Sequence, residues 1–299
     1  MKEPLVSIIV VSYNHGKFIR ENLDSIKNQT YKNIQLIVGD DASSDGSVQV
    51  FEEWLTENNY PASKNYHANN TGLATMLNEC IEMVEGEYVK MIAGDDYFSE
   101  DYIMTCVQYL ETSSLQAVYT NAFSVDEESK VVRESYFPVV QYSTTAEMIK
   151  SLLRENFVPG STLFLKANIF ARIGKFPLDV LLEDYYLALQ LARLNLIIGS
   201  VSDSLIYYRR HDSNITNTRF HYLEMKTIKQ QLDFDQEGKY ADDINRNIFR
   251  QVCEHNPHIS ELKKDYNEYK GRRFKVDFAI QSPLIYSFLL SMKYKCFPL

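Results

Sequence analysis

The chain has 299 residues, 45% of them hydrophobic, which is enough for a sizeable core and excludes wholesale disorder. Its 31 Lys and Arg stand against 40 Asp and Glu, a net charge of −9 that argues against a general nucleic-acid binder. The cysteines at 80, 106, 253 and 296 form no CxxC pair or zinc spacing, and no stretch reaches the ~20 apolar residues that span a bilayer, so a cytoplasmic, reducing setting is expected. The N-terminal apolar run is short and turns polar, as a first strand does and a signal peptide does not. Residues 5–11 form a β-branched run, the pattern of a strand covered on both faces of a parallel sheet. The turn Ser12-Tyr13-Asn14-His15-Gly16 follows, then a helix over 17–28. A second strand is expected at 34–38, running into the turn-rich loop Gly39-Asp40-Asp41-Ala42-Ser43-Ser44-Asp45-Gly46. A helix at 47–58 and a strand at 63–67 come next. The clearest helix covers 72–84, with Leu73, Met76, Leu77, Cys80, Ile81 and Val84 on one face. The fourth strand, 87–93, ends abruptly in Gly94-Asp95-Asp96.

This alternation predicts an α/β sheet with right-handed crossovers. In such sheets ligands sit beyond the carboxyl ends of the strands. Three of those ends carry unusual polar residues, Ser12-Tyr13-Asn14, Asp40-Asp41 and Asp95-Asp96, and they are expected to converge on one crevice. Beyond residue 96 the pattern is mixed. Helices are expected at 100–110, 143–154 and 183–194, and strands at 117–121, 130–136, 162–165, 197–201 and 205–208. From about residue 216 the chain reads as nearly all helix. The expected domains are therefore 1–215, with a nucleotide-binding half at 1–98 and an acceptor half at 99–215, and a helical region at 216–299.

Adjacent carboxylates at a strand tip repel each other, so a positive partner is expected there. A hard-oxygen pair such as Asp95-Asp96 suits Mg²⁺ or Mn²⁺, and a divalent ion could hold a nucleotide diphosphate. The plainer reading is a cap for the following helix. Asp40 and Asp41 can accept hydrogen bonds from a base or a ribose, or form an Asx turn. Tyr13 can stack on a base or simply pack. Glu183-Asp184 opens a helix, where acids are ordinary, and could supply a general base. His211 follows a strand and could ligate a metal. GxGxxG and GxxxxGK[ST] are both absent, which removes the usual dinucleotide and P-loop readings.

The order of these signals is more specific than any one of them. "VSIIVVSYNHGKFIRENLDSIKNQTYKNIQLIVGDDASSDGS", "NNTGLATMLNECIEMVEGEYVKMIAGDDYF", "LLEDYYLALQLARL" and "YYRRHDSNIT" resemble the family 2 glycosyltransferases of the GT-A fold over residues 4–216. The resemblance implies a mostly parallel nucleotide-binding sheet flanked by helices, with a C-terminal helical extension. It implies that Tyr13 lies over the nucleobase and that Asp41 hydrogen-bonds it, with Ser12, Asn14 and Asp40 nearby. It implies that Asp95 and Asp96 occupy the DxD-type region, one contacting ribose and at least one binding the metal, and that His211 lies near the diphosphate or the metal. Asp184, in the "ED" word, is implied as the catalytic base. One departure stands out: many relatives read Asp-Ser-Asp-Asp where this chain has Ala93-Gly94-Asp95-Asp96, so metal binding rests on fewer acids.

The implied activity is inverting, metal-dependent transfer of a sugar from a nucleoside-diphosphate donor, with UDP favoured, to a glycan or lipid-linked acceptor in cell-surface polysaccharide synthesis. A sugar-nucleotide nucleotidyltransferase would need a basic Gly-rich loop after the first strand, which is missing. A non-catalytic nucleotide-sugar-binding protein is the other alternative. Residues 270–299 carry Lys270, Arg272, Arg273, Lys275, Lys293 and Lys295 against Asp277 alone, interleaved with apolar residues. Such an end can rest peripherally on the inner face of an anionic membrane, or pack on the catalytic domain or in a homodimer.

Overall fold

The structure, a computed structural model, describes residues 3–212, 214–254, 256–283 and 286. Its elements run β1 (Val6–Ser12), α1 (Ile19–Lys27), β2 (Ile34–Asp40), α2 (Ser47–Glu57), β3 (Ala62–Tyr66), α3 (Leu73–Glu82) and β4 (Tyr88–Ala93). Then come β5 (Tyr97–Phe98), α4 (Tyr102–Thr112), β6 (Ala117–Val125), β7 (Val131–Arg133), α5 (Thr145–Leu152) and a 3₁₀ turn, Gly160–Thr162. β8 (Leu163–Lys166), α6 (Ile169–Ile173), α7 (Glu183–Arg193) and β9 (Ile198–Arg209) follow. The rest is helical: α8 (Ile215–Thr218), α9 (Phe220–Phe234), α10 (Ala241–Cys253), a 3₁₀ turn Ile259–Leu262, α11 (Lys263–Glu268) and α12 (Phe274–Gln281).

The chain forms two compact units, one of residues 1–148 with 157–211 and one of residues 149–156 with 212–299. The first holds the sheet, in the order β3-β2-β1-β4-β8-β6-β9-β5, with β7 beside β6. β3, β2, β1 and β4 are mutually parallel. Every residue of β1 is buried, in keeping with its unbroken apolar run Ile8–Val11 where a half-exposed strand would alternate. One layer of core lies under α1, α2 and α4, where Ile19, Leu23, Ile26, Trp54, Phe51, Ile103 and Leu110 meet the sheet residues Val6, Ile8, Val10 and Leu36. Each of these aliphatic side chains contributes roughly 1.5–3 kcal/mol by leaving water.

The second half departs from the expected strands in four places. Residues 197–201 and 205–208 are one strand, β9. Its partner β6 skips from Val201 opposite Thr120 to Ser204 opposite Asn121, so exposed Ser202 and Asp203 bulge outward, a polar pair that reads as a turn in sequence. The strand expected at 130–136 shortens to the three exposed residues of β7. Two elements were absent from the pattern: β5, only two residues long and paired with Tyr207 and Ile206 of β9, and the short helix α6.

In the second unit the described residues beyond 214 are mostly helical. There Tyr266, Asn245 and Arg273 are tied by hydrogen bonds, and Lys270 pairs with Glu237 at 2.6 Å. Phe274 is 86% exposed. Of the basic-apolar tail, Leu284, Ile285 and residues 287–299 lie outside the described residues. Among the described residues no helix is long and apolar enough to cross a membrane.

Candidate active site

Strand register alone gathers most of the site. Ser12 pairs with Asp40, Asp40 with Tyr66, and Val11 with Ala93, so residues 12, 40–41, 66–67 and 94–96 leave the sheet along one edge. β8 runs antiparallel to β4, with Tyr88 opposite Lys166 and Lys90 opposite Phe164. The turn just before β8, Gly160–Thr162, therefore lies towards the carboxyl end of β4. That is the edge from which Asp95 emerges.

At the β1–β2 side, Tyr13 is 51% exposed while Ser12 beneath it is buried. Asn14 adopts φ of 60°, and its side-chain oxygen accepts the Ser44 N–H at 2.9 Å, which closes the first loop on the second. Asp40 is fully buried and accepts both the N–H (2.8 Å) and the hydroxyl (2.6 Å) of Ser43, three residues on, which fixes the start of the loop. Asp41 accepts the N–H groups of Thr71 and Gly72, each at 2.8 Å, and the Thr71 hydroxyl at 3.1 Å. Gly72 sits at φ of 90°, a conformation open to glycine that aims its N–H at the carboxylate. His67 Nδ1 is 3.0 Å from Asp41 and its Nε2 is 2.7 Å from Glu79. Burial would raise Asp41, but these donors outweigh it and hold the carboxyl below its ordinary value. Burial would likewise lower His67, and its two carboxylate partners raise it instead.

At the β4 tip the two aspartates have different fates. Asp96 Oδ1 accepts the backbone N–H of Arg209 at 2.9 Å. Burial, and then the charge of Asp95, push Asp96 well above its ordinary value. Asp95 Oδ2 lies 3.0 Å from His211 Nε2, and its Oδ1 lies 3.8 Å from His15 Nδ1. Burial opposes the ionisation of Asp95, yet the His15 and His211 imidazoles keep it below its ordinary value. Both Asp95 Oδ1 and His15 Nδ1 are buried without a hydrogen-bond partner. Beneath the pair, the fully buried Arg209 guanidinium donates to the carbonyls of Asp95 (2.9 Å), Asp126 (2.9 Å) and Glu127 (3.2 Å) and bonds Glu21. It also stacks over Phe18, 4.6 Å from the ring centre.

This donor set fits a divalent cation of the kind that leaves coordination places to phosphate oxygens. Asp95 and His211 converge, and Asp95 keeps an oxygen that is buried and unmet. Among the described residues no three His, Cys, Asp or Glu side chains gather to hold a metal by themselves. A Mg²⁺- or Mn²⁺-type ion completes its shell from water and substrate phosphate, so two protein ligands suffice.

Asp184 occupies the first turn of α7. Its Oδ2 accepts the Gly160 N–H at 3.1 Å and its Oδ1 the Tyr185 N–H at 2.6 Å. A helix N-terminus favours the carboxylate form. Its neighbour Glu183 takes the opposite state: burial first, then the Asp184 charge, push its carboxyl up to about 8. The acid pair thus holds its proton on Glu183. A carboxyl raised in the fold gives stability that is complete below its unfolded value of about 4.5 and fades as the pH rises through about 8. Glu183→Gln removes this titration. It should therefore stabilise the chain more at pH 8 than at pH 5, by about 3 kcal/mol. Urea unfolding at both pH values checks this, and an equal shift at the two would contradict the protonated assignment.

Several contributors to the site had no place in the sequence reading: His15, His67, Lys90, Gly160 and Arg209. Lys90 and Arg209 did leave a trace, each being a charged residue inside a stretch that otherwise reads as strand.

The parallel strand ends thus carry Asp41 and Asp95, with His211 against Asp95 at one tip, and the turn that holds Asp184 lies towards the same ends, where α/β sheets bind their ligands. The Glycosyl transferase family 2 model matches residues 7–173, more than half of the chain. The chain belongs to that family and is a glycosyltransferase. Bacillus subtilis (strain 168) EpsH is 30% identical over 224 residues, 72% of this chain, and the match spans 63% of EpsH. Among solved structures, S. aureus TarS 1–349 in complex with UDP superposes with a TM-score of 0.67 at 17% identity, over 98% of this chain and 91% of that one. The mannosyltransferase PcManGT from Pyrobaculum calidifontis, in complex with GDP-Man and Mn²⁺, has a TM-score of 0.57 at 18% identity, over 99% and 81%. At these identities the likeness is one of fold, and it bears out the expected GT-A-type architecture of a sheet flanked by helices.

Proposed function

We propose that the chain transfers a sugar, with inversion, from a UDP-sugar to the hydroxyl of a glycan or lipid-linked acceptor. One observation carries this reading: the Asp184 carboxyl group is held by the Gly160 N–H, at 3.1 Å, towards the edge where Asp41 and Asp95 also end. Tyr13 stacks on the uracil and Asp41, already charged and fixed, accepts its N–H. TarS in complex with UDP and PcManGT in complex with GDP-Man and Mn²⁺ support a nucleoside-diphosphate donor and a divalent ion. Asp95 and His211 would hold that ion, which when bound offsets the charge that grows on the departing diphosphate. Asp96 supports the same turn through Arg209.

The acceptor hydroxyl is a weak nucleophile until its proton is taken in the transition state. Asp184 receives that proton while the acceptor oxygen bonds to the anomeric carbon and the bond to the diphosphate oxygen breaks. One displacement inverts the centre and requires no enzyme nucleophile. Neutral Glu183 adds no second negative charge beside the base.

The test is a calorimetric and UDP-release screen of nucleoside diphosphates and their sugars, with and without Mn²⁺. UDP binding that tightens with Mn²⁺, and release of UDP from one donor, are expected. Asp95→Asn should lower the Mn²⁺-dependent gain at least about 10-fold, while Asp96→Asn keeps most of it. Equal UDP affinity with and without Mn²⁺ removes the metal assignment. A chain inert towards every donor removes the transfer reading.

A further inference from the structure

Lys90 is fully buried in a strand, Tyr88–Ala93, whose other side chains serve packing. An ammonium there is costly unless its three donors are met. They are met by carbonyl oxygens alone: Gly160 at 3.3 Å, Leu163 at 3.3 Å and Ser161. The remaining carbonyl of that segment, Thr162, accepts the Tyr102 hydroxyl at 2.9 Å. Every carbonyl from 160 to 163 is therefore held by one of two buried side chains. The turn also closes on itself, since Thr162 donates its N–H and its hydroxyl to Pro159. The Gly160 N–H is what this braced turn gives to Asp184. The approach is close: a Cβ on Gly160 would lie 3.1 Å from Asp184 Cβ and 3.1 Å from Glu183 Oε1. A Met or Leu at position 90 would serve packing as well, but neither could hold three carbonyls.

We infer that Lys90 is a positioning residue for proton transfer: acting with Gly160, it sets the place and direction of the one turn N–H that holds the Asp184 carboxylate. The inference rests on Asp184 being the base. The electrostatics agree with it. Burial lowers Lys90 to about 7. Charge at position 90 therefore changes within the working range of a neutral-pH base, and its loss should alter the pH dependence of turnover as well as its size.

The experiment uses the full chain and the donor that the parent turns over, with water as acceptor and UDP·Mn²⁺ as the binding probe. Lys90→Met should lower kcat about 100-fold, the scale of a misplaced catalytic group, while leaving the Kd for UDP·Mn²⁺ within about twofold. It should also shift the acid limb of the kcat profile. In an Asp184→Asn background the same substitution should cost nothing further, because both changes remove one unit. Should Lys90→Met fail to fold, Gly160→Ala decides instead. It keeps the lysine but displaces Asp184, with the same kcat loss, unchanged UDP affinity and no added loss beside Asp184→Asn. Parental kcat in Lys90→Met or, where that variant is unfolded, in Gly160→Ala overturns the inference, as do losses that add to those of Asp184→Asn. Asp184→Asn turning over at the parental rate overturns the base reading instead, and a parent inert on all donors overturns both.

Discussion

Asp184→Asn should lower turnover about 1000-fold while UDP·Mn²⁺ binding stays within about twofold, the range a lost general base covers. The substitution conserves shape, so the amide oxygen can still accept the Gly160 N–H that the carboxylate accepts at 3.1 Å. The Tyr185 N–H, which Oδ1 accepts at 2.6 Å, loses its acceptor, a local cost at the helix start, while the loss in turnover is one of basicity. A second consequence separates this from a folding defect. The Asp184 charge is the second cause, after burial, of the raised Glu183 carboxyl. Removing it should let Glu183 fall back towards the ordinary carboxyl range, so the stability lost between pH 5 and pH 8 shrinks. Turnover by UDP release, binding by calorimetry and urea midpoints at two pH values measure all three. Parental turnover, or equal losses in binding and turnover, would remove the base.

How far the site could be read beforehand depended on sequence distance. The β1 run 6–12 and the Gly-Asp-Asp ends of two strands sit on regular βα units, where local pattern and register agree, so their convergence followed from the α/β reading. Asp184 could be singled out but its anchor could not, because Gly160 lies 24 residues earlier in an irregular turn. Lys90 is a charge inside an apolar strand, and its carbonyl partners come 70 to 73 residues later. His67 is invisible as a partner of Asp41 until β3 pairs with β2 and carries it there. The β9 bulge misled because Ser202 and Asp203 are exposed in a strand, as they would be in a turn. In each case the missing information was a long-range contact, which periodicity does not encode.

Arg209 should be the most costly single truncation in the sheet unit. Its guanidinium is fully buried and donates to the carbonyls of Asp95, Asp126 and Glu127 and to Ser129 at 3.0 Å, besides its ion pair with Glu21. Arg209→Met fits the volume but leaves those acceptors without that donor. Because Glu21 is 41% exposed and only the Asp95 carbonyl is deeply buried, the loss should cost about 2–4 kcal/mol. Arg209→Lys keeps the charge without the planar fork, so it can meet only part of the set and should still cost about 2 kcal/mol. The effect on the site differs from that of Lys90→Met. Arg209 holds the Asp95 carbonyl directly, and its own N–H is what Asp96 accepts. Loosening that turn should therefore weaken Mn²⁺-dependent UDP binding about 10-fold or more, the scale of a lost support behind a metal ligand. Urea unfolding and calorimetry on Arg209→Lys, measured well below its midpoint, give both numbers. A lysine variant with the parental midpoint and the parental UDP·Mn²⁺ affinity would show that the buried fork neither braces the fold nor aligns Asp95.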